Sequence, residues 1–123
     1  MSNSETVNVN IKSAAADKVK NQVEDGQIVL LSLNDGSNKY SDVGGSCAAG
    51  SRFQFVILDK QDPDFSIEVE NNAGLKIYTS PAEMQYLGND LVVDVKNAAM
   101  SLSDDSGVID GAMTINEYKP SDQ

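Results

Sequence analysis

The sequence predicts a mainly β protein with two short helices, built as a β-sandwich or flattened barrel of mostly antiparallel strands. Three observations carry that reading. Seven or eight apolar or alternating stretches, each only a few residues long, are punctuated by Asn, Asp, Gly and Pro, the residues that favour turns. The connections between them are mostly too short for the crossovers that parallel strands need. The chain has 123 residues, 40% hydrophobic and 23% charged, which suits one domain with its helices packed on a single core. The polar ends, residues 1–6 and 119–123, are expected to be disordered, leaving 7–118 as the domain.

Val7, Val9 and Ile11 alternate with polar residues, the pattern of a half-buried strand. Ser13 is placed to cap a helix over Ala14 to Val23, whose Ala16, Val19 and Val23 share one face, with Gly26 to end it. Gln27 to Leu33 is a short, nearly unbroken apolar run and predicts a central strand covered on both faces. Asn34-Asp-Gly36 is turn chemistry. Ser37 to Ser51, rich in Gly, Ser and Ala and without periodicity, reads as a long surface loop that carries Cys47. Arg52 to Lys60 predicts a second strong strand, with Phe53, Phe55 and Ile57 on one face and Val56 and Leu58 on the other.

Asp62-Pro-Asp64 turns the chain into a strand whose Phe65, Ile67 and Val69 alternate with a wet face of Ser66, Glu68 and Glu70. After the turn Asn71-Asn-Ala-Gly74 comes a short strand through Leu75 and Ile77. Ser80-Pro-Ala-Glu83 has the form of a capping box with Pro at the first helical position. Gly88 stops that helix after about two turns, and Met84 and Leu87, with Tyr86 beside them, are expected to press it onto the sheet. Strands follow at Leu91 to Lys96 and Ala99 to Ser103, turns at Asp104-Asp-Ser-Gly107 and Asp110-Gly111, and a closing edge strand at Met113 to Tyr118.

Charge and composition exclude several functions. Nine Lys and Arg against 19 Asp and Glu give a net charge of −10. Nucleic-acid phosphates and anionic membrane surfaces both require a basic face, so neither is an expected partner. No apolar run approaches the roughly 20 residues of a membrane-spanning helix, and no signal peptide is visible, so a cytoplasmic protein is expected. The chain has no His, which removes the commonest general acid–base group and the commonest metal ligand. There is no Gly-x-Ser-x-Gly elbow and no phosphate-binding Gly-rich loop, and no acid–base constellation stands out. An enzyme is therefore not expected.

Two groups of residues could carry chemistry. Cys47 sits in Gly44-Gly-Ser-Cys-Ala-Ala-Gly50, where glycines allow a backbone to approach an inorganic centre. A lone loop thiol is also the ordinary inert cysteine, and the acidic chain offers only Lys39 and Arg52 nearby to favour a thiolate. Asp104, Asp105 and Asp110 lie within seven positions and could offer oxygen ligands, but their spacing is not that of a calcium loop. Like Asp62 and Asp64, they read as solvated turn carboxylates. The four tyrosines read as half-buried core and rim residues.

The order of elements has a counterpart. An Ala-rich helix follows a first strand in Ile11-Lys-Ser-Ala-Ala-Ala-Asp-Lys-Val19, and Cys47 precedes the aromatic strand Arg52-Phe-Gln-Phe-Val56. Leu75-Lys-Ile-Tyr78 then leads through a short helix to Gln85-Tyr-Leu-Gly88. Over residues 7–118 this resembles the HesB/IscA-like iron–sulphur cluster biosynthesis family. Asp42-Val-Gly-Gly-Ser-Cys47, Val56-Ile-Leu-Asp-Lys60 and Leu102-Ser-Asp-Asp-Ser-Gly107 look like a short subfamily from lactobacillus-type bacteria. Cluster-carrying members of the family have a Cys-Gly-Cys near the C-terminus. Here the corresponding stretch, Ser103 to Gly111, has no Cys.

The resemblance implies a HesB-like fold and an accessory role in iron–sulphur assembly. It implies transient ligation of iron or a cluster through Cys47, the match to the family's first Cys. A homodimer and other assembly proteins are the implied partners, since a cluster usually takes about four thiolates and one chain supplies one. The competing expectation is a protein-binding module that keeps the fold without the metal, its acidic surface steering a basic partner.

Overall fold

The computed structural model describes residues 7–34, 40 and 53–118. In chain order they form β1 (Val7–Ile11), α1 (Ser13–Lys20), β2 (Ile28–Leu33), β3 (Phe53–Leu58), β4 (Ile67–Asn71), β5 (Ile77–Thr79), α2 (Pro81–Met84), β6 (Leu91–Lys96), β7 (Ala99–Asp104) and β8 (Gly107–Glu117). The strands close into a barrel in the order β1-β4-β5-β2-β3-β8-β7-β6. The flattened-barrel expectation holds. The sheet is mixed, however, not mostly antiparallel.

Antiparallel pairing joins β2 to β3, β4 to β5, β6 to β7 and β7 to β8. Parallel pairing joins β1 to β4 and β6, β2 to β5, and β3 to β8. Short connections force antiparallel pairing only on strands adjacent in sequence. β1 inserts between β4 and β6, and β8 returns beside β3, so the parallel seams come from strands far apart in the chain.

β2 and β3 are buried at all twelve positions, as two-faced strands should be. Their inward side chains, among them Val29, Leu31, Phe53, Phe55 and Ile57, join the main core with Val9, Ile11, Ile77, Val93 and Leu102. Their outward side chains, Ile28, Leu30, Val56 and Leu58, are covered by Tyr40 and Phe65, with Tyr78 and Tyr118 packed alongside. The alternation in β3 thus sorts one strand between two apolar clusters. β4 has the predicted wet face: Val69 is buried while Glu68 and Glu70 are exposed. Phe65 lies before β4 and serves the outer cluster.

α1 buries Ala15, Ala16 and Val19 against the core, and Val23 packs there from the turn beyond. Ser13 does not cap it. The N–H of Lys12 donates to the Val93 carbonyl at 2.8 Å, which keeps the chain extended through Lys12 and makes Ser13 the first helical residue. The expected capping box at α2 also differs. Ser80 occupies the cap position, but its hydroxyl bonds the Glu83 carboxylate instead of a backbone amide. Met84 and Leu87 pack on the core as expected, Tyr86 is exposed, and the buried residue of α2 is Glu83.

The C-terminal third departs further. Asp110-Gly111 is not a turn but part of β8, where register shifts against β7 mark bulges. Turn-forming residues are the ones a bulge uses, so turn chemistry alone does not separate the two. β8 lies between β3 and β7 in a closed barrel and is no edge strand. The β6–β7 hairpin turns on Asn97 and Ala98, with φ of 53° and 69°. That is the left-handed pair of a two-residue primed turn, with Ala where Gly is usual.

Candidate functional site

The described residues concentrate their buried polarity in one place. The buried polar and charged side chains are Ser32, Asn34, Gln54, Asp62, Thr79, Ser80, Glu83 and Asp110. Ser32 and Asn34 lie at the end of β2, and Gln54 lies at the start of β3 opposite Ser32. The others sit on segments that bond the same region. All of them lie at the ends of β2 and β3 or bond, directly or through Glu83, to those ends or to Tyr40.

The geometry shows why. β5 pairs with β2 only at Val29 and Leu30. Beyond that point side chains continue the ladder. The Thr79 hydroxyl donates to the Leu31 carbonyl at 2.8 Å, and Glu83 Oε2 accepts from the Leu33 N–H at 2.8 Å. Glu83 Oε1 takes the Ser80 hydroxyl. On the other side, β8 pairs with β3 from Gln54 onward. Just before it, Asp110 Oδ2 accepts from the Phe53 N–H at 2.7 Å, while Oδ1 takes the Ala112 N–H at 2.9 Å across the bulge. Leu33 and Phe53 face each other as the last register pair of β2 and β3. A buried carboxylate therefore holds each root of the connection, through charge-assisted bonds that offset part of its desolvation.

A third mooring lies within the connection, at Tyr40. Its phenol donates to Asp62 Oδ2, and its carbonyl accepts from Gln54 Nε2 at 2.7 Å. Gln54 Oε1 in turn accepts from Asn116 Nδ2 at 2.6 Å. The ring meets Phe65 and Tyr118 edge-on at centroid separations of 5.5 and 4.8 Å. Asp62 also accepts the Asp64 N–H at 2.9 Å. Three acidic residues are buried among those described, and each holds one of these three points.

Tyr40 titrates accordingly. Burial, and next the bond to the Asp62 carboxylate, hold its phenol far above the ordinary value of 10.0. The folded state keeps this proton where the unfolded chain, from about pH 10, releases it. The folded state then binds more protons, so the stability from Tyr40 is complete below about pH 10 and falls as pH rises beyond it. Tyr40→Phe is expected to flatten that alkaline loss. Urea midpoints of both proteins near about pH 8 and about pH 11 check this; an equal drop in the two would contradict it.

The candidates from sequence fare differently. Cys47 lies outside the described residues, as does most of the surface loop predicted over Ser37 to Ser51. Asp104, Asp105 and Asp110 do not converge. Asp104 Oδ1 takes the Ser106 N–H at 2.8 Å within its hairpin turn, whereas Asp110 is buried at the Phe53 root. Among the described residues no group of three or more Cys, Asp or Glu is placed to hold a metal ion. Asp62 and Asp110 are corrections: they are buried acceptors, not solvated turn carboxylates. The signal for Gln54 was a polar residue inside the apolar run Phe53 to Leu58, opposite Ser32 in the run Ile28 to Leu33. Glu83 carried none, since a capping box already accounted for it.

With this geometry in view, the likenesses to known proteins are informative. Residues 7–117 match the family described as iron-sulphur cluster biosynthesis. A crystal structure of a Lactobacillus acidophilus protein, provisionally assigned to Fe–S biosynthesis, is 32% identical with a TM-score of 0.76, and 90% of each chain is covered. A Lactobacillus salivarius protein with the same provisional assignment, described as a novel fold, is 21% identical with a TM-score of 0.75. That match covers 91% of this chain and 98% of the other, and it bears on the fold alone. No curated protein matches the chain. No helix among the described residues is long and apolar enough to cross a membrane.

Proposed function

The chain belongs to the HesB/IscA-like iron–sulphur cluster biosynthesis family, and on that premise we propose that it is a non-enzymatic accessory protein of cluster assembly that takes up iron or a cluster transiently through Cys47. The observation that carries the proposal is the family match, which spans the segment bearing the only cysteine of the chain. The concentration of buried polar groups at the two ends of that segment supports it.

The cargo would be ferrous iron or a preformed cluster. Ferrous iron binding at the Cys47 sulphur forms one Fe–S bond, releases the thiol proton to solvent and frees a water from the hydrated ion, whereas a preformed cluster would exchange one ligand of its donor for the Cys47 thiolate; no electrons move in either step. A bound metal ion supplies the positive charge that an acidic chain otherwise withholds from a thiolate. The net charge of −10 draws cations toward the surface, so uptake should weaken as salt rises. One thiol per chain cannot complete a cluster's usual set of about four. We therefore place the working form as a homodimer that supplies two thiolates. A partner assembly protein, a small thiol or carboxylates would complete the set. The proposed compartment is the cytoplasm.

Anaerobic reconstitution with ferrous iron and sulphide, beside a Cys47→Ser variant, tests this reading. The expected result is visible charge-transfer absorbance and bound iron in the wild type, with both lost in the variant. A colourless, iron-free protein in both forms would refute it and leave a protein-binding module on the same fold.

A further inference from the structure

We propose that the groove between the last turn of α1 and the β7–β8 pair binds a small organic monocarboxylate with an apolar tail, its carboxylate on Lys18 and its tail over Met100 and Met113. This goes beyond the function proposed above and does not involve Cys47.

The fold leaves this space open for identifiable reasons. Lys18 of α1 and Gln22 just beyond it border the groove on one side, and Ala98, Ala99 and Ala112 border it from the β6–β7 turn and β8. Met100 and Met113 also line it; they are register partners across β7 and β8 and belong to the main core, so they form its floor. Between the pairs Met100–Met113 and Leu102–Asp110, β8 places Gly111 and Ala112 opposite Ser101 alone. Such a bulge bends its strand and re-aims the side chains beside it. Alanine at 98, 99 and 112 then leaves the space above the two thioethers unfilled. The cavity measures about 500 Å³, a volume within the range of small-ligand sites. Methionine side chains are flexible and polarizable, and they adapt to varied apolar shapes.

Charge selects the ligand. The chain carries nine basic residues against 19 acidic ones. Yet among the described residues no Asp or Glu lines this groove, and Lys18 is the one charged side chain that does. The contrast with two other grooves is plain: one of about 440 Å³ beside β1 is lined by Glu70 and Asp90, and one of about 360 Å³ beside α2 by Asp90. Neither suits an anion. Lys18 is exposed and has no carboxylate partner among the described residues. Lysines in a last helical turn offset the helix dipole, but Lys20 serves that end of α1 from outside the groove. One ammonium matches one carboxylate. A polyanion would meet a single cation here and the repulsion of a net charge of −10 around it. The alanine and thioether surface takes the apolar tail.

NMR of the full wild-type chain, isotope-labelled at its methionine methyls and titrated with decanoate, tests the proposal. The Met100 and Met113 signals are expected to shift saturably while Met84, on α2, stays unmoved. Decylammonium, the same tail with the opposite charge, is expected to bind about tenfold more weakly. Lys18→Gln should weaken decanoate about three- to fivefold, the scale of one exposed charge pair. Ala112→Phe should abolish the shifts by filling the groove; if that variant does not fold, the two ligands on the wild type decide. The proposal is overturned if Met100 and Met113 show no saturable shift, or if Met84 responds as strongly, which marks non-specific adsorption. Decylammonium binding as tightly as decanoate, or Lys18→Gln binding like the wild type, overturns it as well, since the carboxylate would then not be what is recognised. So does a shift of the same two methyls with protein concentration alone, which would make the groove a contact between copies. The readout needs no iron, so its outcome is separate from that of cluster loading.

Discussion

Asp110→Ala is expected to destabilise the protein by about 2–4 kcal/mol. The substitution strips the acceptor from two amides at once, Phe53 N–H at 2.7 Å and Ala112 N–H at 2.9 Å. A buried donor left without a partner costs roughly 1–3 kcal/mol, and bonds to a charged acceptor lie toward the upper end. Relief from burying the carboxylate offsets part of the loss. The local consequence should be larger than the global one. Ala112 is bonded across the bulge that lets β8 pass from β7 to β3, so losing this carboxylate loosens the crossover as well as the Phe53 root. Asp110→Asn should fall between the two, keeping an acceptor for one amide only. Urea denaturation with an unchanged slope measures the effect directly. A loss below about 1 kcal/mol would mean that water replaces the carboxylate and that the root is not dry.

The second large effect is expected at Phe55. Phe55→Ala should cost about 3–5 kcal/mol. The ring is 1% exposed, sits mid-strand opposite Leu31, and pairs on its other flank with Ile115 of β8. It lies where an antiparallel and a parallel seam meet, so the cavity left behind cannot collapse without shifting one of the two registers. A domain of this size is commonly stable by only about 5–15 kcal/mol, so the variant should approach unfolding under mild denaturant. Val108→Ala offers the contrast: at 70% exposure it should change stability by no more than about 0.5 kcal/mol. A Phe55→Ala loss as small as that would place the core elsewhere.

The sequence makes the strands legible because their signal is local. The runs Ile28 to Leu33 and Phe53 to Leu58 announce two-sided burial, and the alternation through Val69 announces one wet face. The parallel seams are not legible. They depend on β1 and β8 returning to strands far away in the chain, and no property of Val7 to Ile11 records which neighbours it will find. The moorings escape for a related reason. Asp62 and Asp110 stand beside Pro63 and Gly111, and polar residues in such company look like solvated turns. What buries them is a partner tens of positions away: Asp110 meets Phe53, and Asp62 meets Tyr40. Glu83 is the sharpest case. A capping box explains it completely from four residues of sequence, while in the folded chain its carboxylate serves Leu33, fifty positions earlier.

The family resemblance was legible for a different reason. It lies in the order of elements and in short blocks such as Asp42-Val-Gly-Gly-Ser-Cys47, which survive where individual contacts cannot be inferred. The stretch Ser103 to Gly111 has no Cys, and its Asp110 holds the root of β3. The scaffold therefore keeps one thiol and surrounds the ends of its segment with buried acceptors.

Iron K-edge X-ray absorption on the ferrous-loaded chain addresses the central claim, that iron is held by the sulphur of Cys47. A sulphur scatterer beside the metal in the wild type, absent from Cys47→Ser, is the predicted result. Spectra showing only oxygen and nitrogen neighbours, the same in both proteins, would contradict it.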